Sequence, residues 1–250
     1  MSSHHNSLRW RSGVNLVVIA AALVAITVIT NAYSFNLMLR NFRQSLSSTA
    51  QIYTEQISGK VDKINSGSLE LVSLAASSQN YYTSSPLGRY LTQQDILTRL
   101  QDRIRYVESS DLYFFYRTDS DELLTALSNR ASTGSSYFWN QYLMLPPTQP
   151  ANTWFSVTCN GETWLMCYYN VSQVRVGAAV RAKTLLQSLY ADTGLVQDSG
   201  FALAGLDGTI VYSSQPDLMA CGTSLAGHIP ASLIVESHTI DTGQHLVFLV

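Results

Sequence analysis

The sequence of 250 residues has few charged side chains, and lysine is especially scarce. Charged residues make up 13% of the chain, about half of the ~25% found in an ordinary soluble domain, and the lysines are Lys60, Lys63 and Lys183. The formal net charge is −2, so the chain lacks the basic surface that nucleic-acid binding requires. With 46% hydrophobic residues, it can nevertheless bury a substantial core.

Motifs that carry catalytic chemistry are also missing from the sequence. It contains no glycine-rich phosphate loop, no H-E-x-x-H and no G-x-S-x-G. Four potential metal ligands fall close together near the C-terminus (Cys221, His228, His238 and His245), but their spacing matches no standard zinc pattern. We therefore predict no catalytic residue, no cofactor and no metal site in these residues.

Cysteine is rare, with Cys159, Cys167 and Cys221 as the three examples. The first two flank an Asn-Gly pair, which favours a two-residue hairpin turn. In that register Cys159 faces Glu162 and Cys167 faces Trp154, which places the two thiols on opposite faces of the sheet. We predict small buried core thiols rather than a disulfide.

Charge is absent from Ser12 to Leu39, and the most apolar part of this segment covers residues 14–30. About 20 apolar residues in a helix cross the ~30 Å hydrocarbon core of a bilayer, so we predict a transmembrane helix over residues 14–34. The alternative is a signal peptide cleaved near residues 30–32, but the apolar region of a signal peptide is about 7–15 residues long and this one is longer.

The charges beside this helix do not fix its orientation, because two arginines precede it and two follow it (Arg9, Arg11, Arg40 and Arg43). Long domains downstream of a first membrane helix translocate largely regardless of charge. We therefore predict a protein of the cell membrane in which residues 1–13 form a cytoplasmic tail and residues 35–250 are extracytoplasmic.

Residues 35–82 are predicted to form one long spine helix, since they contain no proline. Ala50, Ile57, Ile64 and Leu71 recur every seven residues and form one apolar stripe with a polar back. We expect this stripe to lie against a folded module or against a second copy of the helix, which would make the protein a homodimer. An ordinary amphipathic helix in a bundle is the alternative.

The pattern after the spine helix changes to strands. The segment SSPLG at 84–88 interrupts the helical pattern, and a shorter helix is predicted over 93–106. Five strands are predicted next, followed by a helix over 182–194; the strands cover 111–116, 123–128, 153–159, 162–169 and 174–180.

A second set of strands repeats this plan near the C-terminus. FALAGLDGTIVYSS at 201–214 has an Asp-Gly turn between two apolar runs, a strong hairpin signal, and residues 237–250 contain a second hairpin. This second copy is expected to lack a counterpart of strand 174–180 and of the helix after it. Because an unpaired sheet edge is avoided in natural domains, we interpret the chain as a piece of a longer protein.

Two stretches carry a family resemblance: VGAAVRAKTLLQSL at 176–189 and SGFALAGLDGTIVYSS at 199–214. Together with the membrane helix, the spine helix and the repeated strand plan, they make the chain resemble the double Cache sensor domains of bacterial transmembrane receptors. The resemblance implies an α+β fold with two tandem PAS-like antiparallel-sheet modules, of which the second is expected to be incomplete from its strand pattern. Residues 83–182 would be the membrane-distal ligand-sensing module, and residues 183–250 the linker helix and the membrane-proximal module. It also implies a second membrane helix and a cytoplasmic output, most like a sensor histidine kinase.

Two positions depart from the amino-acid-binding members of this family. Those members carry an arginine beside a Trp-Tyr pair on the pocket helix, whereas STGSSYFWNQY at 132–142 has aromatic residues but no arginine. They also carry an aspartate at the end of the last distal strand, where this chain has Arg181. The usual recognition of a free amino acid is therefore not expected.

The hairpin at 153–169 offers two faces to a ligand or a core. One face is the natural core (Phe155, Val157, Trp164, Met166 and Tyr168). The other mixes small polar groups with aromatic rings (Trp154, Ser156, Thr158, Thr163, Leu165, Cys167 and Tyr169), which is typical of a small-ligand pocket or of a second core layer under a covering helix.

Strand 174–180 alternates in the same way, so that Arg175, Gly177, Ala179 and Arg181 share a face. The small residues leave space beside Arg181, whose planar fork of donors suits a carboxylate or phosphate. The alternative is an arginine at a strand end in solvent.

We predict from these patterns that the distal module binds a small organic anion between the YFWNQY helix and the sheet. Tyr113, Tyr137, Trp139 and Trp154 would supply the apolar walls and Arg181 would hold the negative group. No nearby carboxylate is expected. The alternative function is a membrane-anchored extracellular structural or adhesion protein without signalling output.

Overall fold

A computed structural model describes nine segments of the chain: residues 3–78, 85–107, 110–130, 133–191, 200–205, 207–217, 219–225, 235–240 and 245–249. The chain divides into two compact units, Met1–Thr49 and Ala50–Val250. One helix, α1 (Ser3–Ser78), contributes residues to both units.

The first unit consists of the N-terminal part of α1. Within the described residues, α1 is the one helix that is long and apolar enough to cross a membrane. Its most apolar window has a mean hydropathy of 2.3, and none of that window is buried. The predicted transmembrane segment and most of the predicted spine segment both belong to α1, since no proline or glycine occurs between residues 14 and 58 to break the helix. Residues 79–82 of the predicted spine lie outside the described segments.

In the second unit, α1 buries the predicted stripe. Ala50, Ile57, Ile64 and Leu71 are each at most 2% exposed and belong to a core cluster that includes strands of the first sheet. Of the two expected packings of the stripe, against a folded module or against a second copy of the helix, the structure shows the first. Homodimerisation through α1 stays a prediction, and it would have to use another face of this helix.

Helix α2 (Pro86–Tyr106) begins seven residues earlier than predicted from the sequence. Ser85 is its N-cap and accepts a hydrogen bond from the backbone N–H of Gly88 at 3.3 Å, and Pro86 occupies the first helical turn. Both residues favour a helix start. The Ser-Pro pair interpreted as a helix breaker is therefore the start signal of α2.

The first sheet has five antiparallel strands: β1 (Leu112–Arg117), β2 (Glu122–Leu127), β3 (Phe155–Cys159), β4 (Glu162–Val171) and β5 (Val174–Arg181). Their order is β2-β1-β5-β4-β3, and each lies within two residues of its predicted range. Helix α3 (Thr133–Met144) connects β2 to β3. The predicted helix at 182–194 is instead two short helices, α4 (Ala182–Leu185) and α5 (Gln187–Ala191), with residues 192–194 outside the described segments.

This sheet is covered on both sides, because consecutive residues of β1 and β5, which point to opposite faces, are buried. One side packs against α1 and α2 and is called the spine face; Leu165, Val176 and Val180 lie there. The opposite side packs against α3 and is called the α3 face; Trp164, Met166 and Tyr168 lie there with Trp139 of α3. Of the two hypotheses for the mixed face of the 153–169 hairpin, the second core layer is therefore the observed one.

The thiols follow the predicted register. Cys159 pairs with Glu162 across the β3–β4 hairpin, and Cys159 and Cys167 are both buried and free. Burial raises the pKa of the Cys167 thiol to about 11, so this side chain behaves as a core residue. Cys221 is exposed.

The second sheet has four described strands: β6 (Gly200–Ala204), β7 (Ile210–Ser213), β8 (Val235–Thr239) and β9 (His245–Leu249). Their order, β7-β6-β9-β8, corresponds to β2-β1-β5-β4 of the first sheet. The expectation that the counterpart of β5 is missing is wrong, because β9 occupies that central position. The apolar run HLVFL of β9 suits a strand paired on both sides. Within the described segments, the strand of the first sheet that has no equivalent in the second sheet is the outer strand β3.

The Asp-Gly hairpin between β6 and β7 is confirmed. Gly208 has a φ of +76°, a conformation that glycine adopts without strain. The Asp207 carboxylate accepts hydrogen bonds from the backbone N–H and the hydroxyl of Thr209 at 3.0 and 2.9 Å, and these bonds lower the pKa of Asp207.

Candidate functional site

The α3 face of the first sheet is lined with aromatic side chains. Trp139 of α3 is fully buried and meets Trp164 of β4 edge-on, with ring centroids 5.2 Å apart. Phe138 and Tyr142 stack beside Trp139 on the same helix, with centroids 5.5 Å apart. This packing places α3 directly over the sheet, where the sequence predicted a ligand.

The structure does not bring the five predicted site residues together. Trp139 lies on the α3 face, but Tyr113 is buried on the spine face, where its hydroxyl donates to the Ile64 carbonyl at 3.5 Å and burial raises its pKa to about 12. Trp154 also packs against the spine-face cluster. Tyr137 is 70% exposed on the outer side of α3.

Arg181, the predicted anion clamp, lies at the end of β5 with its guanidinium carbon 5.8 Å from the ring centre of Trp164. Its Nη2 donates to Oδ1 of the fully buried Asp111 at 3.0 Å, and its backbone N–H donates to Oδ2 of Asp111 at 3.0 Å. Nη1 donates to the Arg130 carbonyl at 2.8 Å. The expectation of no nearby carboxylate is wrong, because Asp111 balances the charge of Arg181.

The space expected beside Arg181 is also filled. A Cβ at Gly177 would lie 2.3 Å from the Cys167 carbonyl oxygen and 2.9 Å from the Phe114 ring. Gly177 is therefore required for the close approach of β4 and of Phe114 rather than for ligand space.

A second arginine on the same face of β5 has a different environment. Arg175 is 7% exposed, and its Nη1 donates to the carbonyls of Leu143 and Leu145 at 3.0 and 3.1 Å. Its guanidinium carbon lies 5.4 Å from the ring centre of Tyr116 and 5.6 Å from that of Tyr168, distances typical of cation–π contacts. Burial lowers the pKa of Arg175.

No carboxylate among the residues with described side chains forms an ion pair with Arg175, in contrast to Arg181. The sequence placed both arginines on one face but could not tell which was balanced by an acid. The missed signal is Asp111, an acidic residue at the entry of an apolar strand, whose partner lies 70 positions away.

A cavity of about 100 Å³ lies beside Arg175. Its walls are the rings of Phe155 and Tyr168, the Met166 side chain and the loop after α3 with its two prolines, Pro146 and Pro147. The Tyr168 hydroxyl donates to the Gln149 carbonyl and ties β4 to this loop. The cavity lining contains no acidic residue.

Four N–H groups on the α3 face are buried without a hydrogen-bond partner among the described residues: Nε1 of Trp139, Nε1 of Trp164, Nε of Arg175 and Nε of Arg181. Burying a polar group without a partner costs about 1–3 kcal/mol, and such groups are exceptions in native proteins. All four are donors, so the face has a local surplus of hydrogen-bond donors over acceptors.

A wider cleft of about 590 Å³ lies elsewhere, between α2 and strand β2 and the residues after it. Polar side chains such as Gln101, Arg105 and Asn129 line it, but none of its lining residues carries a buried side-chain atom lacking a partner among the described residues. The α3 face, with its unpartnered donors and its buried arginine, is therefore the better candidate site.

No protein-family model and no curated protein sequence matches the chain. Among solved structures, the chain is similar to the periplasmic sensory domain of the Campylobacter jejuni chemoreceptor Tlp1, with a TM-score of 0.55 and 11% sequence identity over 84% of this chain and 94% of that one. This likeness establishes the fold.

Two further solved structures are similar at lower TM-scores. The periplasmic domain of Vibrio cholerae LuxQ has a TM-score of 0.43 and 13% identity, covering 81% of this chain and 96% of that one. The ligand-binding domain of the Pseudomonas aeruginosa amino acid chemoreceptor PctC, in complex with GABA, has a TM-score of 0.44 and 12% identity over 83% and 99% of the two chains.

The apolar N-terminal helix and the fold of the remainder agree with the predicted topology of a membrane protein with an extracytoplasmic segment. The two antiparallel sheets, related by strand order and flanked by the long helix, agree with the predicted tandem modules. The chain therefore has the fold of the solved Tlp1 periplasmic sensory domain, in agreement with the α+β fold predicted from the sequence.

Proposed function

We propose that this chain is the extracytoplasmic ligand-sensing region of a bacterial transmembrane signal transducer, and that its distal module binds a small organic anion on the α3 face. The observation that carries the proposal is the surplus of buried donors there: the unpartnered N–H groups belong to two tryptophans and two arginines. Arg175 and Arg181 lie six residues apart on β5, about 20 Å along the strand, so one small ligand would satisfy the donors at one end of the face. At the Arg175 end, its negative charge would balance the guanidinium.

The output of the transducer is proposed to be a histidine kinase, as the resemblance of the sequence implies. Signal relay requires that the ligand bind one conformation better than another. The core cluster on the spine face includes α1 residues together with Phe201, Leu203 and Ile240 of the second module. The Thr163 hydroxyl of β4 donates to the Val211 carbonyl of β7 at 3.0 Å, so a shift of the distal sheet would reach both α1 and the proximal module.

Small organic anions are expected to stabilise the chain against heat, whereas amines and neutral sugars of similar size are not. A ligand present at 100 times its Kd adds about 2.7 kcal/mol of stability, which raises the melting temperature of a 200-residue unit by roughly 5–10 °C. The measurement is a thermal-shift screen of the 250-residue chain in detergent micelles. Sodium chloride at equal ionic strength controls for screening of surface charges, and stabilisation by amines or neutral sugars alone would refute the anion class.

A further inference from the structure

We propose that the cavity beside Arg175 is a binding site for a small planar monoanion, such as a short carboxylate, and that Arg175 is the residue that recognises its charge. This inference rests on the proposed function and narrows it to one end of the α3 face. It identifies Arg175, rather than Arg181, as the anchoring group.

The hydrogen bonds of Arg175 occupy only part of its guanidinium group. Nη1 donates to the carbonyls of Leu143 and Leu145, which lie at the end of α3, where a cation commonly caps helix carbonyls. Capping explains Nη1 alone. Nε and Nη2 donate to no described residue, and these two atoms form the edge of the fork that binds a carboxylate through two parallel hydrogen bonds.

The charge of Arg175 favours an anion as the ligand. Removing a guanidinium from water without a counter-charge is costly, and neither the cavity lining nor any ion pair among the described side chains supplies a carboxylate. The faces of Tyr116 and Tyr168 stabilise the cation only in part. By contrast Asp111, within 3.0 Å, neutralises Arg181, so Arg175 is the arginine of this face with charge left for a ligand.

The size of the cavity limits the ligand. A cavity of about 150 Å³ accommodates benzene, so the 100 Å³ beside Arg175 holds a group of roughly four non-hydrogen atoms on the same scale. Formate, acetate and nitrate fit entirely within this volume. Nε of Arg175 is shielded from solvent, so the anion contacts Nη2 first. Hydrogen bonds to both Nε and Nη2 need a small shift of the guanidinium or of the 145–148 loop.

The test is calorimetric titration of the 250-residue chain in detergent micelles with sodium formate, sodium acetate and sodium nitrate. Acetamide, which has the shape of acetate without its charge, is the matched ligand control. We expect at least one of the three anions to bind and acetamide to bind at least a hundredfold more weakly. Equal binding of acetamide and acetate would overturn the proposal, since charge would then play no part.

Two variants locate the binding. Arg175→Lys keeps the charge but loses the fork, and it is expected to weaken the anion tenfold or more. Thr148→Leu fills the cavity from an exposed lining position, so it tests the site even if Arg175→Lys fails to fold, and it is also expected to weaken binding tenfold. Thr158→Leu, an exposed threonine of β3 outside the cavity lining, should bind within twofold of the parent.

The outcomes separate this inference from the proposed function. If larger organic anions bind but the three small ones do not, or if anion binding is unchanged in Arg175→Lys and Thr148→Leu, the site lies elsewhere on the α3 face. The inference is then wrong, although the proposed function stands. If no anion of any size binds, both are wrong.

Discussion

Replacing Ile64 with aspartate is expected to lower the melting temperature of the chain by about 10 °C or more. Ile64 is fully buried between α1 and the spine face, so the change removes a large apolar side chain and buries a carboxylate without a partner. The apolar loss alone costs about 2–5 kcal/mol, the buried charge adds to it, and about 1 kcal/mol shifts the melting temperature by 2–4 °C in a domain of this size. Ile57→Asp should behave in the same way, since Ile57 is also fully buried.

The matched control is Ile52→Asp on the same helix. Ile52 is 53% exposed, so its replacement changes helix propensity and charge as Ile64→Asp does but buries nothing, and it should cost less than about 1 kcal/mol. Thermal unfolding followed by circular dichroism in detergent micelles measures all three variants. Equal melting temperatures for Ile64→Asp and Ile52→Asp would show that the stripe is not buried against the sheet.

Replacing Asp111 with asparagine is expected to destabilise the chain by about 3–5 kcal/mol, the cost of breaking a buried ion pair by removing one partner. Asp111 is fully buried and accepts from the Arg181 side chain, the Arg181 backbone and the Ser128 hydroxyl, all within 3.0 Å. An amide nitrogen in place of one carboxylate oxygen would face another donor and leave Arg181 without its counter-charge. The melting temperature should fall by roughly 10 °C.

Two further variants separate this buried pair from a surface pair. Asp95→Asn removes the exposed i,i+4 partner of Arg99 and should cost at most about 0.5 kcal/mol. The double variant Asp111→Asn with Arg181→Gln removes both charges, so it should recover part of the loss seen in Asp111→Asn. A loss in Asp111→Asn no larger than in Asp95→Asn would show that Asp111 and Arg181 do not form a buried pair.

Local patterns in the sequence were sufficient to predict most elements of the first sheet. The seven-residue repeat of Ala50, Ile57, Ile64 and Leu71 predicted the buried side of α1, because helical periodicity reports burial directly. Strand alternation placed Arg175 and Arg181 on one face for the same reason. The turn residues Asn160-Gly161 and Asp207-Gly208 fixed two hairpins, both with glycine at positive φ.

Features that depend on distant residues could not be predicted in this way. The pairing of Asp111 with Arg181 joins residues 70 positions apart, and without it Arg181 looks like a free anion clamp. β9 pairs with β6 in the second sheet. Hairpin signals identify which neighbouring strands pair, but they do not show which strand lies beside β6 on its other edge. Aromatic clustering alone points to Tyr113 as a ligand-site residue, whereas strand alternation puts it with Phe115 on the spine face.

The central claim, that the sheets lie outside the cytoplasm on a membrane-anchored sensor, can be tested with the native cysteines. Cys221 is exposed, whereas Cys159 and Cys167 are buried and burial raises both of their pKa values, which suppresses thiolate reactivity. The measurement is labelling of intact spheroplasts that express the chain with a membrane-impermeant maleimide. The account predicts labelling without lysis that disappears in Cys221→Ser, and labelling that requires lysis would contradict it.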